Sequence, residues 1–100
     1  MDIREFLTLA DAQLDYIENF LENYPCEFDF ELKPGGILEI EFANRSKIII
    51  NRHVAAREIW LAAKSGGFHF EWDGRKWNGT RDNRELMVVL VECINQQSEM

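Results

Sequence analysis

Four carboxylates near the start of the chain, Asp11, Asp15, Glu18 and Glu22, recur at spacings of four, three and four. At 100° per residue they share one arc of about 60° on a helix. Like charges at these spacings repel by roughly a few tenths of a kcal/mol per pair. No lysine or arginine between Glu5 and Tyr24 offsets them. Glu27, Asp29 and Glu31 follow at steps of two, with Glu39 and Glu41 beyond. An acidic face often does no more than keep a protein in solution. This one is single-signed, continues across two elements and has no neighbouring base in sequence, which points to a cation that relieves it. Carboxylate oxygens are hard ligands, suited to Mg, Ca, Mn and, by the same hardness, ferrous or ferric iron. Neither a D-x-D-x-D-G loop nor an E-x-x-H pair is present, so the expectation is weak, multiple binding at the surface rather than a closed cage. The same charges would steer and dock a basic protein surface.

Nothing else in the chain assembles into a catalytic centre. His53 and His69 are the only imidazoles, and neither has a neighbouring nucleophile to form a Ser–His–Asp or Cys–His arrangement. Gly35-Gly36 and Gly66-Gly67 read as hairpin turns, since neither opens a helix as a phosphate loop must. Trp72 and Trp77 flank Asp73-Gly74 as a core and hairpin pair. Cys26 and Cys93 lie far apart, in no C-x-x-C pair, and read as reduced core thiols.

One hundred residues make one domain, spanning 1–100, and a 46% apolar share suits a packed globule. The net charge of −7 is unevenly spread: residues 1–41 hold eleven acids against Arg4 and Lys33, a net of −9. The remainder has nine bases and seven acids, a net of +2. Phosphate neutralisation of nucleic acid is thereby disfavoured. No apolar run approaches the roughly 20 residues of a membrane helix. The opening MDIREFLTLAD has neither a secretory signal's pattern nor a transit peptide's, so a cytosolic protein is expected.

These carboxylates must be carried by particular elements. Ile3, Phe6, Ala10, Leu14, Ile17, Leu21 and Tyr24 recur at threes and fours, an amphipathic helix that Pro25 ends. Residues 26–32 then alternate, with Cys26, Phe28, Phe30 and Leu32 opposite Glu27, Asp29 and Glu31. Further strands are expected at 37–42, 47–52, 58–62, 68–72 and around Trp77, joined by tight turns into an antiparallel meander. Leu86, Val89, Leu90, Cys93, Ile94 and Gln97 return to helical spacing, with Asp82 or Asn83 as the N-cap and Glu85 in the first turn. Two one-sided helices and an alternating sheet pack most economically as a two-layer α+β sandwich, both helices on one sheet face. If Ile59 and Leu61 face the helices, Trp60 faces outward on the open side, where a large aromatic is a common protein-contact anchor. His69, alternating with Phe68 and Phe70, is expected on the same open side.

The stretch S-K-I-I-I-N-R at 46–52, I-W-L-A at 59–62 and G-G-F-H-F at 66–70 resembles the most recognisable block of the bacterial frataxins, the CyaY type. The opening F-x-x-L-A-D (Phe6, Leu9, Ala10, Asp11) and Trp77 followed by Thr80-Arg81 extend the resemblance over nearly the whole chain. The resemblance implies the same helix–sheet–helix sandwich. It also implies a non-catalytic adaptor or regulator of iron–sulfur cluster assembly. An acidic ridge of Asp11, Asp15, Glu18, Glu22, Glu27, Asp29 and Glu31 would bind iron weakly and contact a cysteine desulfurase, which works with a scaffold protein. Asp15, Glu18 and Glu22 would serve both roles, and Asn51 and Trp60 would mark the docking area of the open sheet face. The alternative is a ferroxidase or iron-storage and delivery protein using the same carboxylates. A monomer is expected, with iron-driven oligomerisation as a variation. Two departures stand out: His53 occupies a position where relatives often have glutamine, and the ridge lacks the unbroken acid runs some relatives carry at the end of the first helix.

Overall fold

The computed structural model describes residues 1–99. It begins with α1 (Ile3–Glu22), capped by Asp2, whose carboxylate accepts the Glu5 N–H at 2.8 Å. Phe6, Ala10, Leu14, Ile17 and Leu21 form its buried stripe. The helix stops two residues short of the apolar pattern, because the Asn23 N–H turns back to the Phe20 carbonyl and the Tyr24 N–H to the Leu21 carbonyl ahead of Pro25. Tyr24 nonetheless packs, its ring centroid 5.2 Å from that of Phe20.

Six strands follow: β1 (Phe28–Lys33), β2 (Ile37–Phe42), β3 (Lys47–His53), β4 (Glu58–Ala63), β5 (Gly66–Trp72) and β6 (Trp77–Gly79). Each pairs antiparallel with the next, so sheet order equals chain order. The chain closes with α2 (Leu86–Ser98). Alternation sends Leu38, Ile40, Phe42, Ile48, Ile50, Ile59, Leu61 and Phe70 into one core shared with the buried stripes of both helices. Phe6 of α1 meets Trp77 of β6 edge-on at 6.1 Å, and the Tyr24 hydroxyl donates to Asn95 of α2 at 2.8 Å. Both helices therefore cover the same face, and the two-layer sandwich expected from the sequence is the fold.

Three local expectations are corrected. Cys26 lies outside β1 and is half-exposed rather than a core thiol, because the turn after Pro25 closes through its own N–H to the Tyr24 carbonyl at 2.8 Å. Cys93 is buried, and that burial pushes its thiol up from the ordinary value. Gly66 and Gly67 belong to β5, since the hairpin closes through Lys64-Ser65 with Ala63 paired to Gly66. The N-cap of α2 is Glu85, whose carboxylate accepts the Met87 N–H at 3.0 Å. Asn83 cannot hold the extended cap conformation, because its φ is +61°, and Asp82 is occupied with the Arg84 N–H.

Two polar side chains are buried among the described residues, Asn78 and Gln97. Gln97, 2% exposed, accepts the Lys64 N–H at 2.9 Å. It donates to the Ser46 hydroxyl at 3.0 Å and to the Lys47 carbonyl at 3.1 Å. Its amide thus ties the end of α2 to the β2–β3 and β4–β5 turns.

Candidate functional site: an acidic ridge and an open sheet face

The helix carboxylates emerge beside the buried stripe, with Asp11, Asp15 and Glu22 exposed and Glu18 half-buried. They are not uniformly without a counter-charge, as the sequence alone suggested. Arg52 follows the inward residues Ile48 and Ile50 in alternation, and at the end of β3 it reaches past the sheet to pair with Asp11. Room for it comes from Gly36 in the β1–β2 turn, where an added Cβ would lie 2.5 Å from the Arg52 Nε. Among the described residues, no base pairs with Asp15, Glu18 or Glu22.

Asp29 and Glu31 sit on the other side of edge strand β1, on the open face, while Glu27 precedes the strand. Their partners in register are Glu41 and Glu39. Carboxylates directly opposite one another destabilise a strand pair. The structure relieves half of this, because Glu39 is gripped by Lys33 at 2.9 Å and Lys47 at 3.0 Å. Those hydrogen bonds, Lys33 foremost, hold the Glu39 carboxyl below its ordinary range and raise the Lys33 ammonium in return. The Glu39 contribution is therefore present above the usual carboxylate range and lost as pH falls through its depressed value.

The ridge is thus two carboxylate zones wrapped around one edge strand. The helix zone of Asp15, Glu18 and Glu22 lacks bases, and the strand zone is partly neutralised. Among the described residues, no three His, Cys, Asp or Glu side chains converge as a metal centre would require. What the donors offer is separate hard oxygen groups at a high local density of negative charge, suited to diffuse cation binding and electrostatic steering.

Multivalent cations are accordingly expected to raise the melting temperature at low ionic strength. The gain should shrink when Asp11, Asp15, Glu18 and Glu22 are replaced by their amides, and thermal scans with Mn²⁺ or ferrous iron read it. An equal gain in the amide variant would place the effect elsewhere. Within the set, Asp15→Asn alone should be neutral or slightly stabilising, because it removes repulsion. Asp11→Asn should be slightly destabilising, because it strands Arg52, whose Nε is already buried without a partner.

The open face is organised around β4. A row across the sheet runs Lys33, Ile37, Asn51, Trp60 and His69, each opposite the next in register. Trp60 lies between Asn51 and His69 in this row, on the open face that alternation required. Its indole N–H donates to Glu58 at 2.7 Å. His53 stacks on one indole face at 3.7 Å between centroids and 13° between planes, and His69 on the other at 4.2 Å and 7°. Asn51 stands beside this sandwich, half-buried. Sequence reasoning placed Trp60 and His69 here but missed His53 as the second clamp. It also missed Arg52 as the ridge's counter-ion, although period two along β3 already puts Arg52 on the helix side.

The sequence model for the Frataxin-like domain matches residues 1–100. The "Iron-sulfur cluster assembly protein CyaY" of Dechloromonas aromatica is 57% identical over 98% of this chain and 93% of its own length. Among solved structures, frataxin from Psychromonas ingrahamii superposes with a TM-score of 0.90 at 33% identity, covering 99% of this chain and 93% of that one. Trimeric frataxin from the yeast Saccharomyces cerevisiae, complexed with ferrous iron, gives a TM-score of 0.70 at 28% identity over 96% of this chain and 87% of that one.

Proposed function

This chain belongs to the frataxin family, and from that premise we propose that it serves iron–sulfur cluster assembly as an iron-binding adaptor rather than as a catalyst. The role in cluster assembly follows the relatives that carry that name. The finer reading is that the acidic ridge docks on a basic surface of the cysteine desulfurase while Trp60 and Asn51 contact the assembly formed with the scaffold protein. The observation that carries it is the unpaired helix zone of Asp15, Glu18 and Glu22 beside an uncovered sheet face centred on Trp60. Exposed, uncompensated charge steers encounter, and a rigid aromatic anchors what arrives. Iron held loosely on Asp11, Asp15, Glu18, Glu22, Glu27, Asp29 and Glu31 would lower the ridge's charge and so tune the docking.

We place the protein in the cytoplasm, working as a monomer, with iron-dependent assembly into larger forms as a further state. No described helix is long and apolar enough to cross a membrane. Binding of purified desulfurase should weaken as salt screens the ridge. Affinity independent of ionic strength would count against the ridge as the contact. The alternative, a ferroxidase or iron store, has support in a relative complexed with ferrous iron. It needs a centre of converging ligands, and no three His, Cys, Asp or Glu side chains group to hold a metal among the described residues. Ferrous iron should therefore oxidise no faster with the protein than in buffer.

A further inference from the structure

The strand around which the two carboxylate zones wrap has a free edge. β1 has β2 on one side and, among the described residues, no strand on the other. The Phe42 N–H donates to the Ser46 carbonyl at 2.9 Å, so Phe42 turns its backbone groups toward β3. By alternation Ile37, Glu39 and Glu41 turn theirs toward β1. They meet Lys33, Glu31 and Asp29 in register, which leaves the N–H and C=O groups of Phe28, Phe30 and Leu32 pointing out of the sheet. No backbone group outside the sheet bonds to them among the described residues. We propose that this edge accepts an extended, basic segment of the partner as a further strand, bonded to Phe28, Phe30 and Leu32. This docking mode rests on the reading above that the ridge receives a basic surface of the cysteine desulfurase.

The two faces of the edge specify the occupant. Strand addition takes affinity from main-chain bonds and specificity from alternate side chains. On the open face the edge shows Asp29 and Glu31, both exposed, with Glu41 behind Asp29. Glu39, behind Glu31, is already neutralised by Lys33 and Lys47. On the helix face it shows Phe28 and Phe30, half-buried, and Leu32, which is still 39% exposed on the side that faces the core. An added strand sets basic side chains opposite Asp29 and Glu31, and apolar ones opposite Phe28, Phe30 and Leu32. The occupant is therefore an extended segment in which basic and apolar residues alternate.

Charge on an edge strand guards it against pairing with other edges. Over Asp29 and Glu31 that guard has one sign, so it repels an acidic edge and admits a basic one. Lys33, the base in β1, is held by Glu39. A second copy of this chain fits the edge poorly. Laid antiparallel in the register that uses Phe28, Phe30 and Leu32 of both copies, it sets Asp29 opposite Glu31 twice, and like charges directly opposite destabilise a pair. The far edge of the sheet offers less. There β6 has three residues against the six of β1, and beyond it the Thr80 N–H already donates to the His69 carbonyl at 2.9 Å.

The test follows backbone amide exchange of the full chain, residue by residue, alone and with saturating purified cysteine desulfurase. The Phe30 and Leu32 amides should exchange freely in the free protein and at least about tenfold more slowly in the complex, because the added strand takes up their N–H groups. Asp29 and Glu31, bonded to β2 in both states, should change little and serve as the control. Leu32→Pro removes one outward donor at an edge, where proline is tolerated. It should bind about tenfold more weakly than Leu32→Ala, which keeps that donor. If circular dichroism shows Leu32→Pro misfolded, the exchange pattern decides alone. Binding that leaves Phe30 and Leu32 exchanging freely, or equal affinities for the two folded variants, would overturn strand addition while leaving ridge docking intact. Slowing that appears without desulfurase as the protein is concentrated would give the edge to a second copy and overturn the proposal. No binding at all would overturn the ridge reading and this inference with it.

Discussion

Replacing Asp15 and Glu18 together by lysine is expected to weaken binding to cysteine desulfurase about 30-fold, roughly 2 kcal/mol, with the fold unharmed. The size follows from reversing, not merely removing, two charges in the stretch of ridge that has no internal base. Stability should hold or rise slightly, because the repulsive pairs Asp11–Asp15 and Glu18–Glu22 become attractive, while the 15–18 pair stays repulsive between two lysines. The same reversal at Glu39 should do far less, since Lys33 and Lys47 already neutralise it. Titration calorimetry, with circular dichroism as the check on folding, reads both effects. Unchanged affinity in the double variant would remove the helix zone from the contact.

The largest effect on stability is expected at Gln97. Methionine fills a similar volume, yet it takes the Gln97 amide away from the Lys64 N–H and the Lys47 carbonyl, while the Ser46 hydroxyl keeps only its bond to Asn44 at 2.6 Å. Stranding buried polar groups costs about 1–3 kcal/mol each, so Gln97→Met should lose roughly 2–4 kcal/mol, some solvent reaching the turns. In a domain of this length that lowers the melting temperature by about 10–25 °C. Gln97→Glu should also destabilise, because a carboxylate can replace the acceptor toward Lys64 but points negative charge at the Lys47 carbonyl. Urea unfolding with an unchanged slope would read the difference, and a loss under about 1 kcal/mol would mean the three bonds are replaceable by water.

The elements were legible because their periods are clean. The α1 stripe and the alternation of β2 through β4 state which side faces the core, and with it the open position of Trp60. Boundaries were less legible where a local hydrogen bond overrode the pattern: Cys26 continues the period-two register of β1, but the turn behind Pro25 takes its N–H. The α2 cap was misread because Asn83, a good cap by type, sits at positive φ, where only the following Glu85 can serve. The ridge was visible as a run of acids, but its electrostatics were not. Arg52 lies 41 positions from Asp11 in sequence and reaches it only because β3 runs under the first half of α1. The same limit hid the His53 clamp, which depends on a cross-strand register that no local pattern reveals.

The most direct test of the account is cysteine desulfurase turnover in the presence of its scaffold protein, with and without this protein, and each with and without ferrous iron. The account predicts a change in rate on adding the protein, a further change with iron, and loss of both when Asp15 and Glu18 are reversed. A folded protein that leaves the rate untouched under all these conditions would contradict it, reducing the ridge to a carrier of iron or a means of staying in solution.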